Sequence, residues 1–533
     1  MMNHELKTLG AILGCTALTA PSAQAQNKQS VRKDLPNVLL ILVDDYGWND
    51  LSATGSQFYE TPNIDRIAQR GMMFVNSYAA CSVSSPSRAS ILTGKTPARH
   101  GITNWIGDPY GTAAAEKNNT RMIQPQYVET LPKSEFTLEQ ALQQYGYTTM
   151  ISGKWHLGDL DPTEYGFDIN KGGYEAGNPK GGYYVPYNNP KLPDGPAGED
   201  LTIRLAYETK AFIDDQATAG KPFFAYLSFY AVHAPIQTSR ERWSYFRDKA
   251  EKMGIAPEGF KIDRTLPVRQ VQDNPVYAGL ISSVDDAVGI VMDELDRLGI
   301  TDNTIVIFTS DNGGVSSGDN YSSSNLPLRG GKGRQWEGGT RVPLFMMAPS
   351  LKNPGRKETT PVIHMDLYPT ILEMAGLPTI PTQHVDGVSL KPLIAQSGAI
   401  APRAMYWHYP HYGNQGGEPA SYVKEGDWKL IYYWEDNRTE LYNLASDPGE
   451  ETSVAESNPA RVVALKNKLD KWLEETHASI PEKNASFNAE LYRKQLANKQ
   501  AKQMVRQEMI RKEQLNREWS PNDDWWGSEP TID

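Results

Sequence analysis

Four short apolar segments, each followed directly by charged or polar residues, constrain the fold of this chain most strongly. They cover residues 37–43, 147–152, 222–230 and 304–309. Uninterrupted apolar runs of this length are typical of strands that are buried on both faces, as in a parallel sheet. Because ligands of such sheets bind beyond the carboxyl ends of the strands, we expect the polar residues that follow to form one site.

Helix signals lie between the apolar segments. Thr137 and Gln140 form a capping box, and apolar residues recur every three or four positions from Leu280 to Leu298. This alternation of strands and helices predicts an α/β fold, in which a large mixed, mainly parallel sheet lies between layers of helices.

The character of the chain changes near residue 385. Residues 428–434 and 440–443 predict antiparallel strands, and residues 460–475 predict a helix. The charged tail is predicted to be helical, with disorder as the alternative. The predicted units are a catalytic α/β domain (35–385), a smaller α+β domain on an antiparallel sheet (386–485) and the tail (486–533).

The first 25 residues are typical of a secretory signal peptide. Lys7 precedes a short apolar run over residues 8–20, and an A-x-A cleavage site ends at Ala25. We therefore expect a periplasmic or secreted protein, with lipid anchoring at Cys15 as the second alternative. No later apolar run predicts a membrane span.

The formal net charge of the chain is -11 at pH 7. An acidic protein is a poor match for the phosphate backbone, so nucleic acid is not expected as a partner. An anionic substrate would need a local pocket of positive charge. The residues that follow the second and third apolar segments offer candidates for such a pocket, namely Lys154 and His156 in Gly-Lys-Trp-His and His233 in His-Ala-Pro.

Residues 81–94 have the sequence CSVSSPSRASILTG. This segment resembles the signature of the type I sulfatases, whose first residue, Cys or Ser, is oxidised to formylglycine after translation. In that signature, proline follows the modified residue by two positions and arginine by four. Counting from Ser84 finds both, at Pro86 and Arg88, whereas counting from Cys81 finds neither. The resemblance therefore selects Ser84, and it implies a serine-type bacterial sulfatase that a radical maturase modifies.

The local sequence agrees with this choice. Pro86 suits the first turn of a helix, with Ser85 as its cap, so Ser84 is expected at a helix N-terminus that favours an anion. A plain serine without a neighbouring base is a weak nucleophile. An aldehyde hydrate offers two hydroxyls, one to attack sulfur and one to allow the intermediate to collapse.

Two polar pairs, Asp44-Asp45 and Asp311-Asn312, follow the first and the fourth apolar segments. Their side chains are hard oxygen ligands, which suit Ca²⁺ or Mg²⁺. The resemblance implies that these four residues, with the formylglycine oxygen at Ser84, hold one divalent ion. Calcium is the first candidate and magnesium the second.

The resemblance also implies a role for each cationic residue. Lys154 would contact the formylglycine and sulfate, and Lys332 would bind sulfate. His156 would be the base that releases sulfate, and His233 would contact sulfate and act as general acid toward the leaving oxygen. Arg88 would hold the formylglycine and the metal ligands in place.

Further substrate contacts are expected from the smaller domain. His408, His411 and Asn414 lie in YWHYPHYGN (residues 406–414), which looks like the corresponding run of galactose- or N-acetylgalactosamine-4-sulfate sulfatases. Aromatic rings with His and Asn donors suit a sugar. We therefore expect an exo-acting sulfatase of a sulfated glycan, with galactose or N-acetylgalactosamine 4-sulfate as the first candidate.

Two alternatives remain open. A phosphomonoesterase or phosphonate hydrolase of the same superfamily commonly uses an unmodified Ser or Thr with two metal ions and additional His ligands. A non-catalytic glycan-binding protein would keep Ser84 unmodified and turn nothing over.

Overall fold

The computed structural model describes residues 35–318 and 322–519. The predicted signal peptide, Cys15 and the last part of the predicted tail lie outside the described residues.

The strands of the described residues are β1 (Asn37–Val43), β2 (Met72–Phe74), β3 (Ser77–Tyr78), β4 (Met122–Ile123), β5 (Thr148–Gly153), β6 (Ile169–Lys171), β7 (Phe223–Ser228), β8 (Phe260–Asp263), β9 (Leu266–Arg269), β10 (Thr304–Ser310), β11 (Leu344–Met347), β12 (Arg356–Glu358), β13 (Val362–Ile363), β14 (Met405–Tyr409), β15 (Ala420–Glu425), β16 (Trp428–Tyr433), β17 (Thr439–Asn443) and β18 (Glu482–Lys483).

The α-helices of the same residues are α1 (Pro62–Arg70), α2 (Ser84–Thr93), α3 (Pro97–His100), α4 (Gly111–Asn118), α5 (Leu138–Gln143), α6 (Leu201–Ala219), α7 (Arg240–Met253), α8 (Pro275–Leu298), α9 (Glu337–Thr340), α10 (Leu367–Met374), α11 (Lys391–Ile394), α12 (Pro459–Glu475) and α13 (Ala489–Gln514). Short 3-10 helices cover Ser52–Thr54, Pro162–Tyr165, Thr301–Asn303 and His364–Asp366.

The large sheet has eight strands in the order β12-β2-β11-β10-β1-β7-β5-β6. Strand β11 is antiparallel to both of its neighbours, and the other neighbouring pairs are parallel. The prediction of a mixed, mainly parallel sheet is therefore confirmed. The four apolar segments form β1, β5, β7 and β10, which lie side by side in the order β10-β1-β7-β5.

The central strand β1 shows why these segments are apolar throughout. Successive side chains of a strand point to opposite faces of the sheet. Leu39 and Ile41 belong to the apolar core formed with α1, α6, α7 and α8. Leu40 and Leu42 belong to the core on the other face, formed with α2, α5 and α10. Both faces of the strand are therefore buried under helices.

Two helix predictions are confirmed in detail. The capping box opens α5, where the backbone N–H of Thr137 donates to Gln140 Oε1 over 3.0 Å. Helix α8 ends at Gly299, whose φ of 67° is the left-handed conformation of a helix cap. Helix α8 is long and apolar enough to cross a bilayer, but it is largely buried and packs against α6 and α7 as a core helix.

The smaller sheet is antiparallel, with its strands in the order β14-β15-β16-β17. One face packs on α12, where Leu441 and Leu469 share a core. The other face packs on the large domain, where Trp407 and Tyr78 share a core. A smaller sheet on the C-terminal side was predicted and is confirmed, whereas the domain boundaries proposed above stay a prediction.

Helix α13 packs on the β8-β9 hairpin. The guanidinium of Arg511 lies 2.6 Å from Asp273 Oδ2, and Glu508 Oε1 accepts a bond of 3.1 Å from the backbone N–H of Phe260. The indole of Trp243 donates to the carbonyl of Gln514 over 2.9 Å. The helix is therefore fixed to the large domain by charged and polar contacts.

A buried ion triad joins the smaller sheet to the large domain. On β16, Lys429 Nζ lies 3.1 Å from Glu337 Oε1 and 2.9 Å from Glu450 Oε1. All three residues are almost completely buried. Removal of one partner from a buried ion pair strongly lowers stability, because the remaining charge is left buried and uncompensated.

We predict that Lys429→Met lowers the free energy of unfolding by about 3–5 kcal/mol, because Glu337 and Glu450 then remain buried without their cation. Urea denaturation measures the change. The matched control is Lys468→Met, which removes an exposed ion pair with Glu425 and should cost less than about 1 kcal/mol. Equal losses in the two variants would contradict the assignment of the triad as a support of the interface.

Candidate active site

The polar residues that follow four neighbouring strands meet at one edge of the large sheet. Strands β10, β1, β7 and β5 run in the same direction, so their carboxyl ends lie together. The residues at these ends are Asp44 and Asp45 after β1, Lys154 and His156 after β5, His233 after β7, and Asp311 and Asn312 after β10. The structure therefore brings these residues together at one edge of the sheet, as the sequence predicted, and their roles stay a prediction.

Helix α2 brings residue 84 to the same edge, with one difference from the prediction. The helix begins at Ser84 and its N-cap is Val83, so Ser85 is not the cap. The hydroxyl of Ser85 instead accepts a bond of 3.2 Å from the backbone N–H of Ile106. Ser84 therefore occupies the first helical position, where unpaired N–H groups favour an anion.

The side chain of Ser84 lies among acceptor oxygens. Its Oγ is 3.0 Å from Asp44 Oδ1 and 3.2 Å from Asn312 Oδ1, although a hydroxyl has a single hydrogen to donate. Cys81 lies instead in a small apolar cluster with Tyr409, and burial raises the pKa of its thiol to about 12. The structure thus places Ser84 at the site and leaves Cys81 in an unreactive environment.

Three carboxylates form the floor of the site. Asp44, Asp45 and Asp311 are at most 1% exposed, and each offers an oxygen within 4.8 Å of the other two. The amide oxygen of Asn312 and the hydroxyl of Ser84 lie beside them. This set of hard oxygen donors fits a Ca²⁺ or Mg²⁺ ion. These five residues are the ones that would hold it.

Each of the three carboxylates also has a cationic partner. The pairs are Lys154 Nζ with Asp44 Oδ2 at 2.6 Å, Lys332 Nζ with Asp45 Oδ2 at 2.8 Å, and the Arg88 guanidinium with Asp311 Oδ2 at 2.8 Å. Burial alone would raise the pKa of Asp44, but Lys154, His233 and Arg88 together hold it below its ordinary value. Asp44 is therefore a carboxylate at neutral pH.

His156 presents a neutral imidazole to the cavity. It lies at the cavity wall with Nδ1 buried and without a partner. Burial, followed by the charge of Lys154, lowers the pKa of the imidazole well below its usual value, so the ring is uncharged at neutral pH. Gly177 packs so closely against the ring that a Cβ at this position would lie only 2.5 Å from His156 Cε1.

His233 faces the site with its other ring nitrogen. Its Nδ1 lies 2.7 Å from the carbonyl of Ala234, and its Nε2 lies 3.8 Å from Asp45 Oδ2. Tyr183 holds the backbone at this point, because its hydroxyl donates to the carbonyl of His233 over 2.7 Å. With Nδ1 engaged, Nε2 is the atom that can exchange a proton with a substrate.

The comparisons with known proteins agree with this geometry. Residues 36–377 match the family described as Sulfatase, and residues 332–479 match the family described as N-sulphoglucosamine sulphohydrolase, C-terminal. The chain belongs to the sulfatase family. It is 31% identical to a protein named sulfatase from Formosa agariphila, over 90% of this chain and 96% of that protein.

Two further relatives support the assignment. The sulfatase is 31% identical to the N-acetylgalactosamine-6-sulfatase of Mus musculus, over 78% of this chain and 76% of that enzyme. Its fold matches the crystal structure of Ps i-CgsB in complex with k-i-k-neocarrahexaose, with a TM-score of 0.67 and 27% identity. That match covers 82% of this chain and 92% of the other. The sulfatase is therefore a sulfuric ester hydrolase with the fold of the alkaline phosphatase superfamily.

A cavity of about 410 Å³ opens onto Ser84 in this sulfatase. His156, His233, Lys332 and Asn414, all candidates from the sequence, contribute to its wall. Lining residues that the sequence did not suggest are Trp105, Ile106, Glu175, Asn178, Lys180 and Gln415. They lie in loops without a periodic pattern, and the cluster of Gly, Asn and Lys at 177–180 was the only available signal.

The structure does not bring His408 and His411 into this cavity. The ring nitrogens of His408 lie 2.7 Å from Ser421 Oγ and 2.9 Å from the carbonyl of Ser479. His411 is fully buried, and its Nε2 lies 2.9 Å from Thr103 Oγ1. The expectation that these two histidines bind the sugar is therefore corrected, because both rings are buried in contacts within the protein.

We predict that Asp45→Ala weakens binding of a divalent ion by at least about 10–100-fold, since loss of even an outer partner of a metal site has that cost. Elemental analysis after dialysis against Ca²⁺ or Mg²⁺ measures the bound ion. Glu175→Gln is the matched control, because Glu175 lines the same cavity outside the carboxylate cluster. Full retention of the ion by Asp45→Ala would show that Asp45 is not a ligand.

Proposed function

We propose that this protein is an exported sulfatase that hydrolyses sulfate monoesters on sugars through a formylglycine made from Ser84. One observation carries the proposal. Ser84 lies at the first position of α2, within hydrogen-bond distance of Asp44 and Asn312, at the base of a cavity lined by His156, His233 and Lys332.

The proposed mechanism assigns one task to each element of the site. When bound, the divalent ion would offset the carboxylate charge and polarise sulfate, and the formylglycine hydrate would supply the nucleophilic hydroxyl. Lys332, which lines the cavity, and Lys154, which pairs with Asp44 at the carboxylate cluster, would stabilise the charge of the sulfate. Arg88 holds Asp311 in position through its bond of 2.9 Å from Nε.

Proton transfer falls to the two histidines. His233 would donate from Nε2 to the oxygen that leaves with the sugar, because its Nδ1 is held by the carbonyl of Ala234. His156 is neutral and would accept the proton from a hydroxyl of residue 84, which allows sulfate to depart. An acid and a base that line one cavity suit hydrolysis of an ester.

The cavity suits a sugar. Trp105 offers a ring for stacking, and Asn178, Asn414 and Gln415 offer amide groups to hydroxyls. The similar mammalian enzyme acts, by its name, on N-acetylgalactosamine 6-sulfate, and the similar solved structure holds a neocarrahexaose. We therefore propose a terminal galactose or N-acetylgalactosamine sulfate as the substrate class.

The position of the sulfate on that sugar is O4 or O6. The run that favoured O4 contains His408 and His411, which lie outside the cavity, so its support now depends on Asn414 alone. The name of the similar mammalian enzyme, N-acetylgalactosamine-6-sulfatase, indicates a sulfate at O6 in its own substrate. A panel of four monosaccharides, galactose 4- and 6-sulfate and N-acetylgalactosamine 4- and 6-sulfate, separates the two positions.

The arrangement of the lysines argues against the phosphoesterase alternative. Enzymes of that kind commonly bind two metal ions, whereas here Lys154 and Lys332 pair with the Oδ2 atoms of Asp44 and Asp45. A single ion with an ammonium-lined wall is the better match to sulfate. The proposal also includes calcium as the ion, export by the N-terminal signal and modification of Ser84 by a radical maturase.

We predict that Ser84→Ala reduces sulfate release from the best substrate of the panel by more than about a thousandfold, since loss of a nucleophile can cost an enzyme about a millionfold. The protein is produced with a radical maturase, and sulfate is measured by ion chromatography. Cys81→Ala is the matched control from the same segment and should keep its activity.

Three results would contradict the proposal. Full activity in Ser84→Ala would exclude residue 84 as the nucleophile. Faster release of phosphate than of sulfate by the wild-type protein, from 4-nitrophenyl phosphate and 4-nitrophenyl sulfate, would favour phosphoryl transfer. Sugar binding without turnover by the matured protein would favour the non-catalytic alternative.

A further inference from the structure

A second cavity, of about 390 Å³, adjoins the catalytic cavity. Asn414 lines both of them. The loop before α4 also contributes to both, through Trp105 and Ile106 on the catalytic side and Asp108 and Pro109 on the other. The second cavity is large enough for one sugar ring, since cavities of about 300–1,000 Å³ hold small ligands.

Residues 412–417, which we call the partition loop, lie where the two cavities meet and contribute to the lining of both. Two of its glycines pack closely against the backbone of Gly333, next to Lys332. A Cβ on Gly413 would lie only 2.5 Å from the carbonyl oxygen of Gly333, and a Cβ on Gly417 only 1.7 Å from it. The carbonyl of Gln415 accepts bonds from Arg334 Nε at 2.9 Å and Ser317 Oγ at 2.6 Å. The partition loop is therefore fixed in place beside a residue of the active site.

Helix α13 forms the opposite wall of the second cavity. Tyr492, Gln495, Leu496 and Lys499 line it, and their spacing of three and four residues places them on one face of the helix. This wall lies beyond residue 479, where the match to the C-terminal sulfatase family ends. The α13 wall is therefore a part of the second cavity that the family matches do not cover.

The α13 wall is held in place at this end of the helix. Asn488 caps α13, and its backbone exchanges hydrogen bonds of 2.9 and 3.0 Å with the side chain of Asn119. The side chain of Gln500 donates to the carbonyl of Arg264 over 2.9 Å. A wall fixed on both sides of Tyr492 and Leu496 presents a formed surface to a ligand, which lowers the entropic cost of binding.

The charge of the two cavities differs. The catalytic cavity contains Lys180 and Lys332 against Glu175, whereas the second cavity contains Asp108, Glu418 and Glu435 against Lys499. Two of these carboxylates are paired with arginines outside this lining: Glu418 lies 2.6 Å from Arg264 and 2.9 Å from Arg438, and Glu435 lies 3.6 Å from Arg121. A wall of this composition disfavours a second sulfate group and suits the hydroxyls of an uncharged sugar.

We propose that the second cavity is a saccharide subsite that binds an unsulfated sugar linked to the sulfated sugar in the catalytic cavity. This inference rests on the proposed function, and it adds that the substrate is an oligosaccharide with an uncharged neighbour. Amide and carboxylate groups of Gln495, Asn414 and Glu435 would bind hydroxyls, and Tyr412 and Leu496 would contact the ring.

The test uses Gln495→Trp, which fills the second cavity from an exposed position of α13. The probes are the best monosaccharide sulfate of the panel above and the disaccharide in which the same sugar is linked to unsulfated galactose. We predict that kcat/KM for the disaccharide falls at least tenfold, while kcat/KM for the monosaccharide stays within twofold of the wild type. Lys494→Trp adds the same ring at an exposed position outside the cavity lining and should change neither value.

The outcomes separate this inference from the proposed function. Equal kcat/KM of Gln495→Trp and the wild type on the disaccharide would overturn the subsite. Equal losses on the monosaccharide and the disaccharide would also overturn it, because they would indicate a disturbed active site. Absence of sulfate release by the matured wild-type protein from every probe would instead overturn the proposed function.

Discussion

The rest of the structure depends on how three buried carboxylates are compensated. Asp44, Asp45 and Asp311 are within reach of one another at the end of neighbouring strands, which is unfavourable unless positive charge surrounds them. Lys154, Lys332 and Arg88 each pair with one of them, and a divalent ion fits between their oxygens. Lys332 also lines the cavity above this cluster, and in the proposed mechanism it would bind the sulfate of the substrate there. Under that proposal, one set of cations would both compensate the carboxylates and recognise the substrate.

The smaller domain and the C-terminal helix extend this arrangement outward. The smaller sheet is joined to the large domain through the buried Lys429 triad, and it carries the partition loop to the edge of the active site. Helix α13 closes the space behind that loop. In the proposed mechanism, the large domain would supply the groups that act on the sulfate ester, and the C-terminal elements would supply the surfaces that a longer saccharide contacts.

The sequence was informative where local pattern and chemistry coincide, and less so where burial is decided by distant packing. The four apolar segments predicted the strands, because a strand buried on both faces has few alternatives. The motif at residues 84–88 predicted that Ser84 lies at the start of a helix and at the candidate active site. His408 was misassigned because successive side chains of β14 point to opposite faces of the smaller sheet. The indole of Trp407 donates to the carbonyl of Ala79 in the large domain over 2.8 Å, so the side chain of His408 points to the opposite face. Lys180 lines the catalytic cavity from a loop, and Gln495 lines the second cavity because α13 packs beside it. Neither placement produces a periodic pattern in the sequence.

Tandem mass spectrometry of the tryptic peptide 71–88, from protein produced with a radical maturase, would show directly whether Ser84 becomes formylglycine. We expect a loss of two hydrogen atoms localised to residue 84, with Cys81 and the other serines unchanged, because Ser84 lies beside the carboxylate cluster with proline and arginine at the required spacing. An unmodified Ser84 in protein that still releases sulfate would contradict the proposed mechanism, since serine itself would then be the nucleophile.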